Sequence, residues 1–209
     1  MVPLSEPRLL VLHGLRLKGF GEAVDVAAIV SVDADEADEQ LEKALADGLV
    51  VRRDGVPLSG WSLTAEGRAE QERLLVAELA AIGGEAAVGR AYDAFVALNP
   101  GLLELCTAWQ MLDDTTINDH GDAKYDGAVI DRLRAHHAQA EPILTELEGV
   151  LERYAGYHPR FAAAIERVGA GDGDWFAKPI IDSYHTVWFQ LHEDLLNTLG
   201  VERAQELAG

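Results

Sequence analysis

Residues 49–64 read LVVRRDGVPLSGWSLT, and this stretch decides the fold of the N-terminal part. Its two apolar runs, LVV and WSL, predict short strands because turn-forming residues lie between them. Asp54-Gly55 is a strong hairpin dipeptide, and Pro57 makes the loop longer than a two-residue turn. Thr64 supplies a side-chain oxygen that can cap a following helix. The sequence therefore predicts a β-hairpin that leads directly into a long helix.

Three shorter helices are predicted before the hairpin. Leucines within residues 9–15 mark the first helix, and a Gly-Phe-Gly step ends it. Apolar residues within 24–30 mark the second, and an apolar stripe within 37–45 marks the third, with Gly48 as its C-cap glycine. Helix, helix, helix, hairpin and helix is the order of a winged helix-turn-helix, in which the hairpin is the wing. We therefore expect a winged helix-turn-helix domain over residues 1–82.

The remainder of the chain shows only helical patterns. Gly83-Gly84 interrupts a helical pattern that then resumes, so a second domain, an all-α helical bundle, is expected over residues 85–209. Asn99-Pro100 is predicted to start a new helix, Pro142 to restart or kink another, and Pro179 to start a long final helix. The predicted fold class of the whole chain is mostly α.

Six motifs carry a resemblance to known proteins, and they are His13-Gly14-Leu15-Arg16-Leu17-Lys18-Gly19-Phe20, Ala46-Asp47-Gly48-Leu49-Val50, Ser59-Gly60-Trp61-Ser62-Leu63-Thr64-Ala65-Glu66-Gly67-Arg68, Asn118-Asp119-His120, Asp174-Trp175-Phe176 and Asp182-Ser183-Tyr184-His185-Thr186-Val187-Trp188-Phe189. The N-terminal motifs resemble MarR-type winged-helix regulators. The set as a whole is more similar to winged-helix segments associated with actinobacterial pyruvate phosphate dikinase and other phosphoenolpyruvate-utilising proteins. The resemblance implies a regulatory or accessory module with a small-molecule ligand or a phosphoenolpyruvate-utilising partner protein, and it carries over no catalytic residue.

The predicted third helix is acidic where a DNA-reading helix is basic. Residues 33–47 hold seven carboxylates and one base, Lys43. Residues 1–79 contain 8 bases and 15 acids, and Arg52 and Arg53 on the predicted wing are the only paired bases among them. DNA binding requires several contacts between basic side chains and phosphates. We therefore expect Arg52 and Arg53 to pair with carboxylates, and direct DNA binding would need bases from a partner or a dimer.

The amino-acid composition limits the kinds of partner that the protein can bind and the cellular compartment expected for it. The chain has 17 Lys and Arg against 36 Asp and Glu, a formal charge of −19 that disfavours nucleic acid and anionic membranes. The N-terminus lacks a signal-peptide pattern, and no apolar run approaches the roughly 20 residues of a membrane span. We therefore expect a cytoplasmic protein without membrane contact. The single cysteine, Cys106, excludes an internal disulfide and is expected to pack as a small hydrophobe.

Imidazole and indole groups concentrate in the predicted final helix. Asp182, His185, Trp188 and His192 follow one another at steps of three, three and four, which would place them along one helix face. A core in which these groups only satisfy their hydrogen bonds is the simpler interpretation, and a pocket for a small molecule is the functional one. The predicted ligand-binding residues of that pocket are Trp109, His120, Asp182, His185, Trp188 and His192.

Metal and cofactor sites are weakly indicated. The loop at residues 113–126 carries many oxygen ligands, but it lacks the spacing of an EF-hand, so a solvated acidic loop is expected. A metal centre built from His120, His185 and His192 would need separate helices, because the last two lie roughly 10.5 Å apart along one helix. The sequence contains no Gly-rich phosphate loop, HExxH, GxSxG or CxxC motif, so no cofactor and no catalytic residue are predicted.

These patterns favour a non-enzymatic regulatory or sensing module that combines an acidic winged helix with a helical domain for a ligand or a partner. The alternatives are a MarR-like transcriptional regulator that binds DNA as a homodimer, and a metal-dependent enzyme of the helical domain. A homodimer is expected because winged-helix regulators pair through helices outside the wing. The stripe predicted to form that interface is Leu74, Leu75 and Leu79.

Overall fold

The computed structural model describes residues 2–55 and 58–201, which form nine α-helices, one 3-10 helix and one two-stranded sheet. The elements are α1 (Pro7–Lys18), α2 (Ala23–Val30), α3 (Ala34–Ala46), β1 (Val50–Arg53), β2 (Gly60–Leu63), α4 (Ala65–Ile82), α5 (Glu85–Gln110), α6 (Ala123–Val150), the 3-10 helix Glu152–Gly156, α7 (Tyr157–Gly169), α8 (Asp174–Ala177) and α9 (Tyr184–Leu199). The predicted fold class, mostly helical with one small hairpin, is confirmed.

The hairpin forms where the sequence predicts it. β1 and β2 are antiparallel, with Val50 opposite Leu63 and Arg53 opposite Gly60. The Thr64 side chain caps α4 by accepting a 2.9 Å hydrogen bond from the Gly67 backbone N–H. A Cβ atom at Gly67 would lie 1.9 Å from the Leu49 carbonyl oxygen, so only glycine permits this approach of α4 to the hairpin. The predicted lengthening of the loop by Pro57 lies outside the described residues.

The first four helices and the hairpin enclose one apolar core. Trp61 on β2 is fully buried, and α1 packs against α2, α3 and α4. The acidic third helix contributes only its apolar stripe to this core, since its carboxylates face solvent. The buried residues of this N-terminal core are Val11, Leu12, Leu15, Val26, Ala27, Ala37, Leu41, Ala44, Leu49, Val50, Trp61 and Leu63.

A second, larger core lies among α5, α6, α7 and α9. Its fully buried members include Phe95 on α5, Leu133 on α6, Phe161 on α7 and Tyr184 on α9. Leu79, at the end of α4, belongs to this core rather than to the first. The α4 helix therefore joins the two cores, and the Gly83-Gly84 step follows that junction.

Pro100 does not start a new helix as predicted, and Pro142 does not restart one. α5 runs without a break through Pro100, and α6 runs through Pro142. A proline in a helix interior removes one backbone hydrogen bond. Here the helices persist because buried residues continue the same apolar stripe on both sides, as Phe95 and Leu102 do around Pro100.

The prediction that Pro179 starts the final helix is also wrong. α9 begins at Tyr184, and the Ser183 side chain caps it by accepting from the Thr186 N–H. Ile180 has a φ of +79° and is 91% exposed, which a residue on the apolar stripe of a helix would not be. Asp182 therefore lies in the preceding turn and not on the helix face that carries His185, Trp188 and His192.

A buried polar network connects the two cores. Its centre is an ion pair of the 3-10 helix and α9, in which Arg153 Nη1 donates to Asp194 Oδ1 at 2.5 Å. The other Asp194 oxygen accepts from the Tyr157 hydroxyl at 3.0 Å. Arg153 also donates to the Thr198 hydroxyl at 2.8 Å and lies 3.3 Å from a Glu78 carboxylate oxygen on α4.

The N-terminal part reaches this network through α1. Nε2 of His13 lies 3.0 Å from Asp194 Oδ1, and both side chains are almost completely buried. The Gln71 amide lies 3.0 Å from the other ring nitrogen of His13. Burial alone would raise the pKa of the Asp194 carboxyl, but Arg153 and His13 beside it lower that pKa well below its usual range.

Candidate functional site

A cleft of about 860 Å³ opens at the end of the helical part that lies away from this network. Small residues make up much of its wall, so the backbone rather than bulky side chains borders the space. The lining residues are Trp109, Gln110, His120, Ala123, Asp126, Gly127, Ile130, Val168, Gly169, Gly171, Asp172, Gly173, Asp174, Ala177, Lys178 and Pro179. The cleft thus contains two of the predicted ligand-binding residues, Trp109 and His120.

His120 and Asp126 form a hydrogen-bonded pair in the cleft wall. His120 Nδ1 lies 3.0 Å from Asp126 Oδ2, and the other Asp126 oxygen accepts a 2.8 Å hydrogen bond from the Asn118 side chain. Asn118 is buried and also donates to the Trp109 carbonyl oxygen at 3.1 Å. A carboxylate at Nδ1 selects the ring tautomer that carries its proton there. The His120 ring contacts found among the described residues use Nδ1 and the ring face, and His120 is one of the residues that line the cleft.

The backbone of His120 is held in an unusual conformation. Its φ is +60°, a left-handed value that few non-glycine residues adopt. The Asn118 side chain stabilises this conformation by accepting from the His120 backbone N–H at 3.0 Å. Asn118 thus orients both the backbone of His120 and the carboxylate that the ring meets, and such strained residues are concentrated at functional sites.

Trp109 forms the floor beneath His120. Its ring is parallel to Phe176 at a centroid distance of 4.6 Å and lies 4.4 Å from the His120 ring. A Cβ atom at Gly173 would lie 2.9 Å from the Trp109 ring, so glycine is required for the loop before α8 to cross the indole. Trp109 is only 8% exposed, which makes it a rigid support for His120 rather than an open stacking surface.

The charge of the cleft is negative. Three carboxylates line it, Asp126, Asp172 and Asp174, and the lining lysine is Lys178. Lys178 Nζ lies 2.5 Å from Asp174, so those two charges offset each other. Asp172 lies 3.7 Å from Arg167, whereas the partners of Asp126 are an amide and an imidazole. The carboxylate nearest His120 therefore has no Lys or Arg partner among the described residues.

The other predicted ligand-binding residues lie elsewhere. Trp188 is buried in the helical core, where its ring stacks on Phe95 at 4.2 Å and its Nε1 donates to Asn99 at 2.6 Å. His192 lies 5.6 Å from Phe95, centroid to centroid, on that same side of α9. Trp188 is thus a core residue, His192 is partly buried beside it, and neither lines the cleft of His120.

Asp182 and His185 lie near the start of α9. Asp182 accepts hydrogen bonds from Arg160 on α7, at 2.9 and 3.0 Å. Burial lowers the pKa of His185 below its usual value, which favours the neutral ring. Neither residue lines the cleft, because α9 begins later than predicted and points away from it. The single pocket edged by all six residues does not form.

No metal centre is assembled in the part of the chain that the structure describes, since no group of three His, Cys, Asp or Glu residues is placed to hold an ion. His120, His185 and His192 in particular are distributed over the cleft and two parts of α9. The geometric requirement of the metal-dependent enzyme is therefore not met by these residues. The acidic loop before α6 instead uses its carboxylates for local turns, as Asp113 does by accepting from the backbone N–H groups of Thr115 and Thr116.

The bases considered for nucleic-acid binding are largely paired with carboxylates. Arg52 lies 2.9 Å from Asp54 and 3.6 Å from Glu22, as the sequence predicts for this residue. Lys43 pairs with Glu39 one turn earlier on α3, at 2.7 Å. Arg53, which was also predicted to pair, is exposed at the end of β1 and has no carboxylate partner among the described residues. These positions leave the outer face of α3 strongly negative.

Sequence reasoning missed the second wall of the cleft. The sequence patterns assign no site residue to segment 168–179, which carries three alternating glycines. The alternation of Gly169, Gly171 and Gly173 was the available signal, because glycine repeated in a loop indicates close backbone approach. The spacing of residues along the sequence does not show which segment lies opposite these glycines.

Comparison of the chain with protein-family models, with curated proteins and with solved structures finds no significant match. The resemblance to winged-helix proteins therefore rests on the motif residues alone. No helix among the described residues is long and apolar enough to cross a membrane.

Proposed function

We propose that this protein is a non-enzymatic sensing module that binds a small molecule in the cleft of His120 and Asp126. The observation that carries the proposal is the oriented imidazole of His120, which a buried asparagine and a carboxylate hold at the edge of an 860 Å³ cleft. Ligand sites combine a largely preformed concave surface with a few polar groups in fixed positions. The described residues of the cleft supply such groups, but no nucleophile beside the imidazole.

The N-terminal part, in this proposal, is a winged helix whose third helix has lost direct DNA reading. The order of three helices, hairpin and helix around one core supports the winged helix. The seven exposed carboxylates of residues 33–47 support the loss of DNA reading, because they repel phosphates where a recognition helix would attract them. In this proposal the N-terminal part binds a partner protein in response to the ligand. The sequence motifs imply that this partner is a phosphoenolpyruvate-utilising enzyme.

Two helices connect the cleft to the N-terminal part. α7 begins at Tyr157, which donates to Asp194 in the buried network, and ends at Val168 and Gly169 in the cleft wall. This 13-residue helix spans roughly 18 Å, at about 1.5 Å per residue. α6 carries Asp126 near its start and leads at its end into the 3-10 helix of Arg153. A ligand that shifts the cleft wall can therefore bias the network through a rigid element.

A cleft-filling variant tests the proposal. Gly127 lines the cleft on α6, and a Cβ atom there would meet nothing within 4 Å. Gly149 lies on the same helix, outside the cleft, and is equally open. Gly127→Leu should therefore block the cleft, while Gly149→Leu makes the same chemical change without touching it.

The measurement is a thermal-shift and NMR screen of a small-molecule library against the wild type and both variants. Compounds that stabilise the wild type and Gly149→Leu but not Gly127→Leu support the proposal. Hits that bind all three proteins equally would show that the cleft is not the site. Coupling is measured by hydrogen exchange of α1 and the hairpin with and without such a compound, and Tyr157→Phe should weaken that coupling while leaving the affinity unchanged.

A further inference from the structure

We infer that the ligand of the cleft is an organic cation that carries N–H donors, such as an amine or amidine on a small apolar body. This inference rests on the proposed function, since it names the class of molecule for the same cleft. It excludes small anions, including phosphoenolpyruvate itself, as the molecule bound there. Four features of the cleft lead to it.

The first feature is the acceptor pair at the centre of the wall. His120 gives its Nδ1 side to Asp126, so its Nε2 lone pair is available to an N–H donor. The Asp126 carboxylate behind it is 14% exposed and carries a negative charge that only an amide and an imidazole contact. A ligand cation would supply the permanently charged partner that this carboxylate lacks, since no Lys or Arg among the described residues pairs with it.

The second feature is the balance of charge around the rim. Asp174 pairs with Lys178, and Asp172 with Arg167, so the positive groups there are already engaged with carboxylates. An anionic ligand would have to displace one of these pairs and lie beside Asp126. A cationic ligand needs neither change.

The third feature is the orientation of the helices that end at the cleft. α7 ends in its wall, at Val168 and Gly169, and a helix C-terminus carries partial negative charge that favours cations. The backbone N–H groups of residues 170–172 already bond to the last carbonyl groups of α7, so this contribution is small. The N-terminus of α6 has the opposite polarity, but the Asp122 side chain already caps it by accepting from the N–H groups of Lys124 and Tyr125. The helix ends therefore do not offer an uncompensated anion site.

The fourth feature is the apolar part of the wall. Ile130, Val168, Ala123 and Ala177 line the space beside the polar pair. Such a surface accepts the apolar body of a ligand whose polar end faces His120 and Asp126.

A matched series of probes tests the ligand class. Benzamidine, benzamide and benzoate share a planar ring with one substituent and differ in its charge. Binding is followed by two-dimensional NMR of the His120 ring and of the Trp109 indole N–H, with the dissociation constant taken from the titration. We expect benzamidine to perturb both signals and to bind at least about tenfold more tightly than benzoate, with benzamide between them.

Charge-neutral variants give the second arm. Asp126→Asn should reduce the preference for benzamidine over benzoate by several-fold. Asp174→Asn and Asp172→Asn should have the same effect, and they alter exposed residues of the rim without changing the core. Asp131→Asn, an exposed carboxylate on α6 outside the cleft lining, should leave the preference unchanged.

The outcomes separate the two proposals. Benzoate binding at His120 as tightly as benzamidine would overturn the ligand class while keeping the cleft as the binding site. Absence of any perturbation by millimolar benzamidine would also overturn the ligand class, and the library screen with Gly127→Leu would then decide the binding function on its own. Equal binding of benzamidine to the wild type and to Gly127→Leu would place the cation outside the cleft and overturn the ligand class, and the library screen would again decide the binding function.

Discussion

His13 on α1 and Asp194 on α9 lie 3.0 Å apart, Nε2 to Oδ1, at the junction of the two cores. Arg153 meets the same carboxylate oxygen at 2.5 Å. One carboxylate from the last helix is thus shared by a residue of the first helix and a residue of the 3-10 helix. The arrangement therefore adds a buried polar contact between the N-terminal part and the helical part to the apolar packing around it.

Asp194→Asn should destabilise the protein by about 3 kcal/mol at neutral pH, because the buried Arg153 charge loses the nearer of its two carboxylate partners and keeps only Glu78 at 3.3 Å. The pKa of Asp194 is lowered in the folded state, so its contribution to stability is present above the ordinary carboxyl pKa of about 4 and is lost as the pH falls below that value. Urea unfolding of the wild type and variant should therefore differ most at pH 7 and converge in acid. Asp131→Asn, at an exposed ion pair, should change stability little at either pH. If Asp194→Asn lowered the free energy of unfolding equally at pH 7 and in acid, the Asp194 carboxylate would not be the group that stabilises the folded state.

Gly127→Ala and Gly149→Ala should each stabilise α6 by about 0.5–1 kcal/mol, because both glycines occupy a helix interior with open space at the Cβ position. Thermal denaturation measures the two increments. A similar gain in stability at both sites shows that the fold does not require glycine at residue 127. The absence of a side chain there then matters only for the open volume of the cleft. A loss of stability at residue 127 alone would mean that the wall of the cleft closes in solution.

Cys106 should react slowly with iodoacetamide at pH 8. Burial raises the pKa of its thiol to about 11, so only about 0.1% of it is thiolate at that pH. The alkylation rate, followed by mass spectrometry, should lie well below that of glutathione and should rise to the free-thiol rate in denaturant. Fast alkylation of the folded protein would show that Cys106 is an exposed, activated thiol.

Direct DNA binding should be weak or absent at low salt. Arg52 and Lys43 are already paired, and α3 presents its carboxylates to solvent. Titration of random and promoter duplexes by fluorescence anisotropy measures the affinity. Sub-micromolar, sequence-specific binding by the isolated protein would favour the transcriptional regulator instead.

We continue to predict a homodimer, although Leu75 and Leu79 of the stripe assigned to its interface are buried within one chain. The exposed large hydrophobic residue of that helix is Val76, at 57%, which lines a groove with Leu196 of α9. Light scattering at micromolar concentration should give twice the monomer mass for the wild type. The Val76→Glu variant should give the monomer mass, because the charge disrupts the dimer interface. Val24→Glu, at an exposed valine on α2, is the matched control. A strict monomer of the wild type rules the dimer out.

The sequence by itself determined the elements whose signals are local. The hairpin at Asp54-Gly55, the cap at Thr64 and the end of α4 before Gly83 depend on backbone conformations and hydrogen bonds that span only a few residues. The acidic character of the third helix and the pairing of Arg52 were also readable, because neighbouring charges are visible in the chain itself.

Tertiary structure decided the remaining features. Pro100 and Pro142 remain inside helices because packing of the flanking apolar residues outweighs one missing hydrogen bond, and no local pattern reports that packing. The six predicted ligand residues share residue types but not a location: Trp109 and His120 meet the glycine loop of residues 168–179, while Trp188 meets Phe95. Arg153 and Asp194 are 41 positions apart, and their ion pair exists only because two helices pack side by side and exclude the water that would otherwise solvate each charge.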